Sequence, residues 1–335
     1  MKTIFRLALL FCLAVAALAQ PIQRTPYTTN ILGQVIPAGL FTDMNITDDV
    51  EFSGGNITYV PLTGDIQTYV NAAVAGDTLV LASGTYAITA PITIAKQLNI
   101  RGQGSAGFTT APATAQHGTL INSATAAVTG FVVNNSNVRI GDLSLNLTGA
   151  GSAGITTTNN LFGLVFYNID VIVNCTGVAQ GITINGSDAI LRDMTFYVTS
   201  SDSVAYGVWA YNDNTCISNN VVDVFGVTGT VLGSLGTAYG FTVANINDDN
   251  TITLNLFNTV DRVLDGTAAD IGLAVLSTTT TNAFCNAYMS TIQGGGGAGD
   301  YDVLINAGNV CNLGGSVVEG NSISGTPTYR ATMVA

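Results

Sequence analysis

The sequence predicts an all-β chain wound as a parallel solenoid, with one short helix near its N-terminal end. Three observations carry this expectation. A single phrase, glycine or aspartate followed by a short β-branched run and then Asn or Asp, opens seven times: GFVVNNSN at Gly130, GITTTNNL at Gly154, GITINGSD at Gly181, GVWAYNDN at Gly207, GFTVANIN at Gly240, GLAVLSTT at Gly272 and DVLINAGN at Asp302. Subtracting successive start numbers gives 24, 27, 26, 33, 32 and 30 residues, the drifting period of stacked units whose loops differ in length. The units alternate strand-like runs with Gly, Asn and Asp turns and contain no helical periodicity. Finally, 47% of residues are hydrophobic and only 9% charged, which excludes disorder and suits stacked strands joined by tight turns.

Taken in order, residues 1–19 read as a secretory signal peptide: Lys2 and Arg6 precede the apolar run Leu7–Ala19, which ends in the small-residue site Ala17-Leu18-Ala19. That run is shorter than a bilayer span, and no later one is long enough, so the expected product is exported and has no membrane segment after cleavage. Its loss leaves 9 − 2 = 7 Lys and Arg against 21 Asp and Glu, a charge of −14 that repels nucleic acid. Residues 20–60 do not fit the repeat and read as an N-terminal arm, with self-assembly or a surface partner as a role for it. The solenoid is expected over 61–325 and a tail over 326–335. Asp65 is placed to cap a short helix over 66–75, with Ile66, Tyr69, Val70 and Ala73 on one face. Strand-like runs follow at Thr78–Ala82, Ile92–Ile94 and Gln97–Ile100, punctuated by Gly84 and Pro91.

The order of helix Ile66–Ala75, Ala75-Gly76-Asp77-Thr78, apolar strand, Gly84-Thr85-Tyr86 and Leu98–Gly104 resembles the start of right-handed parallel β-helices of the pectin-lyase-like superfamily. The resemblance covers about residues 60–325. It implies a right-handed parallel β-helix whose short N-terminal helix plugs the open lumen. It does not choose an activity, because one fold hosts many.

The catalytic constellations of that superfamily are incomplete here. Asp248-Asp249 stands in place of an acidic pair, yet adjacent strand residues face opposite sides, and no histidine follows; the only one is His117. A lyase would need Ca²⁺, carboxylates and a basic residue, and the cations nearest to acids, Arg139 by Asp142 and Arg192 by Asp193, read as surface salt bridges. Gly84-Thr85-Tyr86-Ala87-Ile88 lacks the acid that an esterase-like motif places there. Asp248, Asp249 and Asp223 are the catalytic candidates that remain. Tyr206, Trp209 and Tyr211 read either as lumen filling or as a platform for sugar rings. A second landmark, Asn or Asp before an apolar residue, recurs at Asp142, Asn168, Asp193, Asn220, Asn255 and Asn286 and reads as a polar ladder at a coil corner. Of the four cysteines after the leader, Cys285 and Cys311 precede equivalent asparagines in consecutive coils and are expected to form a disulfide; Cys175 and Cys216 look unpaired. No metal site is expected.

The resulting expectation is an exported, non-catalytic solenoid with a structural, adhesive or surface-assembly role and no cofactor. The alternatives are a polysaccharide lyase or hydrolase acting through acidic residues, with Ca²⁺ in the lyase case, and a glycan-binding module.

Overall fold

The computed structural model describes residues 27–29, 35–37, 50–52, 55–105, 118–123, 128–213, 215–216, 218–233, 235–245, 250–264, 269–277, 283–294, 300–306, 309–318 and 323–325. The chain divides into two compact units, Met1–Asp49 and Val50–Ala335. In the first, Tyr27–Thr29 pairs antiparallel with Val35–Pro37. The signal peptide and the tail after Gly325 lie outside the described residues. Val50–Phe52 and Gly55–Val60, within the stretch read as an arm, belong to the second unit and pair in its sheet.

That second unit is a parallel β-helix. Each coil contributes strands to three faces in turn; one coil is Ala179–Asn185, Ala189–Arg192 and Thr195–Ser200, and the next is Ala205–Asn212, Asn220–Phe225 and Thr228–Gly233. Face one is a nine-stranded sheet running from Ile92–Ile94 to Ile323–Gly325. Face two runs from Gly55–Val60 through Asn99–Arg101 to Val310–Asn312, and face three from Gly84–Ala87 to Val317–Val318. The long strands Arg139–Gly149 and Leu164–Cys175 turn a corner and serve both faces two and three. Every coil-to-coil pairing is parallel, so equivalent residues stack into columns along the axis.

Those columns explain the repeated phrase. Its opening glycines stack directly: a Cβ on Gly154 would lie 2.4 Å from the Gly181 carbonyl oxygen, and one on Gly181 would lie 2.4 Å from that of Gly207. Close approach of backbones therefore demands glycine there, and an alanine would force the coils apart. The apolar residue after each glycine enters the lumen. Ile92, Phe131, Ile155, Ile182, Val208, Phe241, Leu273 and Val303 form one such column, none more than 2% exposed. Each such burial contributes roughly 1.5–3 kcal/mol, so the lumen supplies the main driving force. Phe196 fills the space left by Gly207 and Gly229 and meets Phe241 edge to face, with centroids 5.9 Å apart.

Helix α1, Ile66–Ala72, closes the N-terminal end and stops three residues short of the expected 75. Asp65 caps it, accepting from the Thr68 N–H at 3.1 Å, and Ile66 and Val70 are buried. At its other end the Lys96 ammonium donates to the Asn71 and Ala73 carbonyls, each at 2.6 Å. Gln67 acts as a surrogate strand: its amide accepts from Thr93 N–H at 2.6 Å and donates to Thr93 C=O at 3.1 Å, covering the edge of face one. Beneath it the buried Tyr86 hydroxyl donates to Val60 C=O at 2.6 Å and accepts from Ala82 N–H at 2.7 Å. Burial, opposed by the Ala82 bond, pushes that phenol up to about 12.

Candidate functional site

An outward aromatic pile on face one is the site the geometry singles out. In strand Ala205–Asn212, Gly207 and Val208 are both buried, so the glycine breaks strict alternation and brings Tyr206 to the outer side with Trp209 and Tyr211. Tyr206 and Trp209 lie 4.6 Å apart and 14° from parallel; Trp209 and Tyr211 lie 4.6 Å apart at 26°. Tyr239 of the next coil, in register with Tyr206, joins at 5.1 Å and 7°. All four rings are half-buried, and none faces the lumen, contrary to the lumen-filling reading. Tyr239 was missed in the sequence, although Ala205-Tyr206-Gly207 and Ala238-Tyr239-Gly240 repeat one tripeptide. Burial raises the phenols of Tyr206, Tyr211 and Tyr239, so they stay neutral hydrogen-bonding groups at physiological pH.

At the Tyr211 end of the pile sits Asp213. It accepts from the Thr215 N–H at 2.8 Å and from the Asn185 amide at 3.1 Å. Burial works to raise this carboxyl, but the bonds from Thr215 and Asn185 outweigh it and hold it below the usual carboxylate range. A pile of rings that cover one another's faces thus ends in a fixed negative charge and amides.

The catalytic candidates do not assemble. Asp248 and Asp249 lie outside the described residues. Asp223 points out from face two, where its carboxylate accepts from Asn255 at 2.8 Å, and Asn255 in turn accepts from Asn286 at 2.9 Å. Beside this amide row, Phe225, Phe257 and Tyr288 stack at 4.9 and 5.5 Å. Asp142 binds Arg101 at 3.0 Å and Asn168 at 2.8 Å, rather than Arg139. Arg192 does meet Asp193, at 3.5 Å. Among the described residues no three His, Cys, Asp or Glu side chains converge as a metal would require, and no helix is long and apolar enough to cross a membrane.

The expected polar ladder divides into three columns. Asp142, Asn168 and Asp193 do occupy one corner, with φ of 57°, 49° and 53°, but their successors there are Gly226, Asn258 and Met289. Asn255 and Asn286 belong to the face-two row, and Asn220 is buried and bonded to Asn212 at 2.9 Å. The expected disulfide is also absent: Cys285 and Cys311 are free thiols. They are buried neighbours in register, and the Cys285 thiol is pushed well up by its hydrogen bond with Cys311 and by burial. Parallel strands hold equivalent Cβ atoms about 4.8 Å apart, whereas a disulfide needs about 3.8 Å. Cys175 and Cys216 are free thiols too.

No family model and no curated protein matches the chain. Among solved structures it is similar to the pectate lyase Pel9A, with 14% identity over 82% of this chain and 81% of that one and a TM-score of 0.37. It is also similar to the A-modules of two mannuronan C-5 epimerases of Azotobacter vinelandii. For AlgE4 the identity is 12% over 83% of this chain and all of that one, with a TM-score of 0.31; for AlgE6 it is 12% over 81% and 97%, with a TM-score of 0.27. The likeness is one of fold alone.

Proposed function

We propose that the chain is an exported, non-catalytic solenoid that adheres to polysaccharide through Tyr206, Trp209, Tyr211 and Tyr239. The observation that carries this reading is the outward set of four near-parallel rings on one sheet. Stacked in this way, the rings immobilise one another, so little side-chain entropy is lost when a sugar docks. The described carboxylates near the faces support a binding role over hydrolysis: Asp142, Asp213 and Asp223 each hold neighbouring strands or corners through hydrogen bonds. A general acid would need a proton to give, and Asp213 is held ionised.

Trp209 is the only tryptophan in the sequence, so its fluorescence reports on the pile directly. Titration with a panel of soluble polysaccharides should shift and quench that emission for at least one of them. Tyr206→Ala should weaken the response at least ten-fold, and Trp209→Ala should release the protein from the insoluble form of the same glycan. Failure of the whole panel to change emission or retain the protein defeats the binding reading. Reducing ends or unsaturated products, with or without Ca²⁺, would defeat the non-catalytic part.

A further inference from the structure

The outer side of face two, over the five strands from Ala189–Arg192 to Val310–Asn312, forms one continuous plate. Its first column is Val221, Thr253, Phe284 and Val310; its second is Ile190, Asp223, Asn255, Asn286 and Asn312. The third starts at Arg192 and continues through the stacked rings of Phe225, Phe257 and Tyr288. Ile190, Val221 and Val310 are 40%, 40% and 38% exposed, so large apolar side chains adjoin on the plate instead of lying scattered. At its centre, hydrogen-bonding capacity is left over. Asn255 gives one amide N–H to Asp223 at 2.8 Å; among the described residues its other N–H and the second carboxylate oxygen of Asp223 are unused. The leftover groups are one donor and one acceptor, on neighbouring coils of one column.

We propose that this plate joins two copies of the chain face to face, with their solenoid axes antiparallel. A twofold axis along the strands, midway between the coils of Asp223 and Asn255, sets Asn255 of each copy over Asp223 of the other. An isologous contact repeats every pairing, so one operation satisfies the leftover donor and acceptor twice. The same operation sets Phe225 over Phe257 and Val221 over Thr253, and brings Arg192 to the ring of Tyr288. None of these pairs opposes like charges, so the plate's own chemistry selects a second copy as its occupant. Five strands about 4.8 Å apart and at most six residues, about 20 Å, long give roughly 400 Å² in plan. Stable interfaces use about 800 Å² per partner, so this dimer is weak and reversible. Two chains of net charge −12 repel at long range, and salt screens that repulsion, to about 10 Å at 0.1 M, without weakening apolar contact. The plate shares no residue with the aromatic pile of face one, and neither proposal requires the other.

The test is sedimentation velocity of the purified chain over micromolar to millimolar concentrations, at low and high NaCl. A reversible monomer–dimer equilibrium should appear and strengthen with salt. Val221→Glu and Ile190→Glu, made separately, should each weaken it at least ten-fold with an unchanged melting curve. Val178→Glu, at an exposed apolar position off the plate, should associate as the parent does. A chain that stays monomeric at every concentration overturns the proposal. Lost stability in Val221→Glu would then mean that the chain's own residues cover the plate, and unchanged stability that the plate stands open. Equal weakening by Val178→Glu, or none by either plate variant, overturns it as well, because the contact then lies elsewhere.

Discussion

Asp261 has no exposed surface, and neither of its carboxyl oxygens has a hydrogen-bond partner of good geometry. It is admitted to the lumen because Gly240 lies against it; a Cβ there would fall 1.6 Å from Oδ2. Burial drives its carboxyl well above the ordinary range, only partly offset by the nearby Arg262 N–H. The unfolded chain ionises the same group near pH 3.9. A raised folded pKa means stability that is fully present below that pH and is lost as pH rises, because only the unfolded state releases the proton. Asp261→Asn keeps the shape and removes the proton. The variant should match the parent near pH 3 and be the more stable at pH 7, by about 1.4 kcal/mol for every ten-fold difference in proton affinity between the folded and unfolded chains. Urea unfolding at a series of pH values reads this, and parallel stability curves for the two proteins would rule it out.

At the scale of the element, the corner between faces two and three is a single left-handed residue repeated along the axis: Asp142, Asn168, Asp193, Gly226, Asn258, Met289 and Gly315. Asn, Asp and Gly tolerate that conformation, whereas a longer L side chain is penalised. Met289 is the exception, at φ 48° with 73% of its surface exposed, so packing recovers little of the strain. Met289→Asn should therefore stabilise the protein by about 1 kcal/mol, measured as a rise in urea midpoint at constant slope; a fall would mean that the methionine side chain contributes more than its backbone costs. The same corner shows how far the sequence could be read. Period, strand type, capping helix and opening glycines were legible because each follows from local chemistry. The ladder was legible only up to Asp193: counting from the opening glycine places Asn220 next, but the loop before it is longer, and register leads to Gly226 instead. Column membership depends on pairing between coils, which no local spacing records. Tyr239 escaped the sequence reading, and the Cys285–Cys311 bridge failed, for the same kind of reason: the register of Tyr239 with Tyr206 and the parallel Cβ alignment appear only once the coils are stacked.

Across the whole molecule, each coil touches only its neighbours, so stability is close to a sum of coil and interface contributions and opening starts where that sum is poorest. The N-terminal end is secured by α1, the Gln67 bonds to Thr93, the Lys96 cap and the Tyr86 hydroxyl. Toward the other end buried acids are more numerous, Asp261, Asp270, Asp300 and Asp302 against Asp77 and Asp170 in the earlier coils. Backbone N–H groups engage two of them, Asp270 N–H to Asp300 at 2.9 Å and Gly294 N–H to Asp302 at 2.8 Å. Each of these carboxyls loses its hydration on folding, a cost that an apolar lumen residue does not carry. Native-state hydrogen exchange should therefore show opening of strands Val260–Val263, Tyr301–Ile305 and Val310–Asn312 at lower free energy than Thr129–Val133 and Ala179–Asn185. Asp261→Asn should slow exchange in the C-terminal group above pH 4 and leave the N-terminal group unchanged, since the coupling decays coil by coil. Uniform protection along the axis, or an equal response of both groups to the substitution, would mean that the solenoid opens as a single cooperative unit and that the buried acids do not set where it begins.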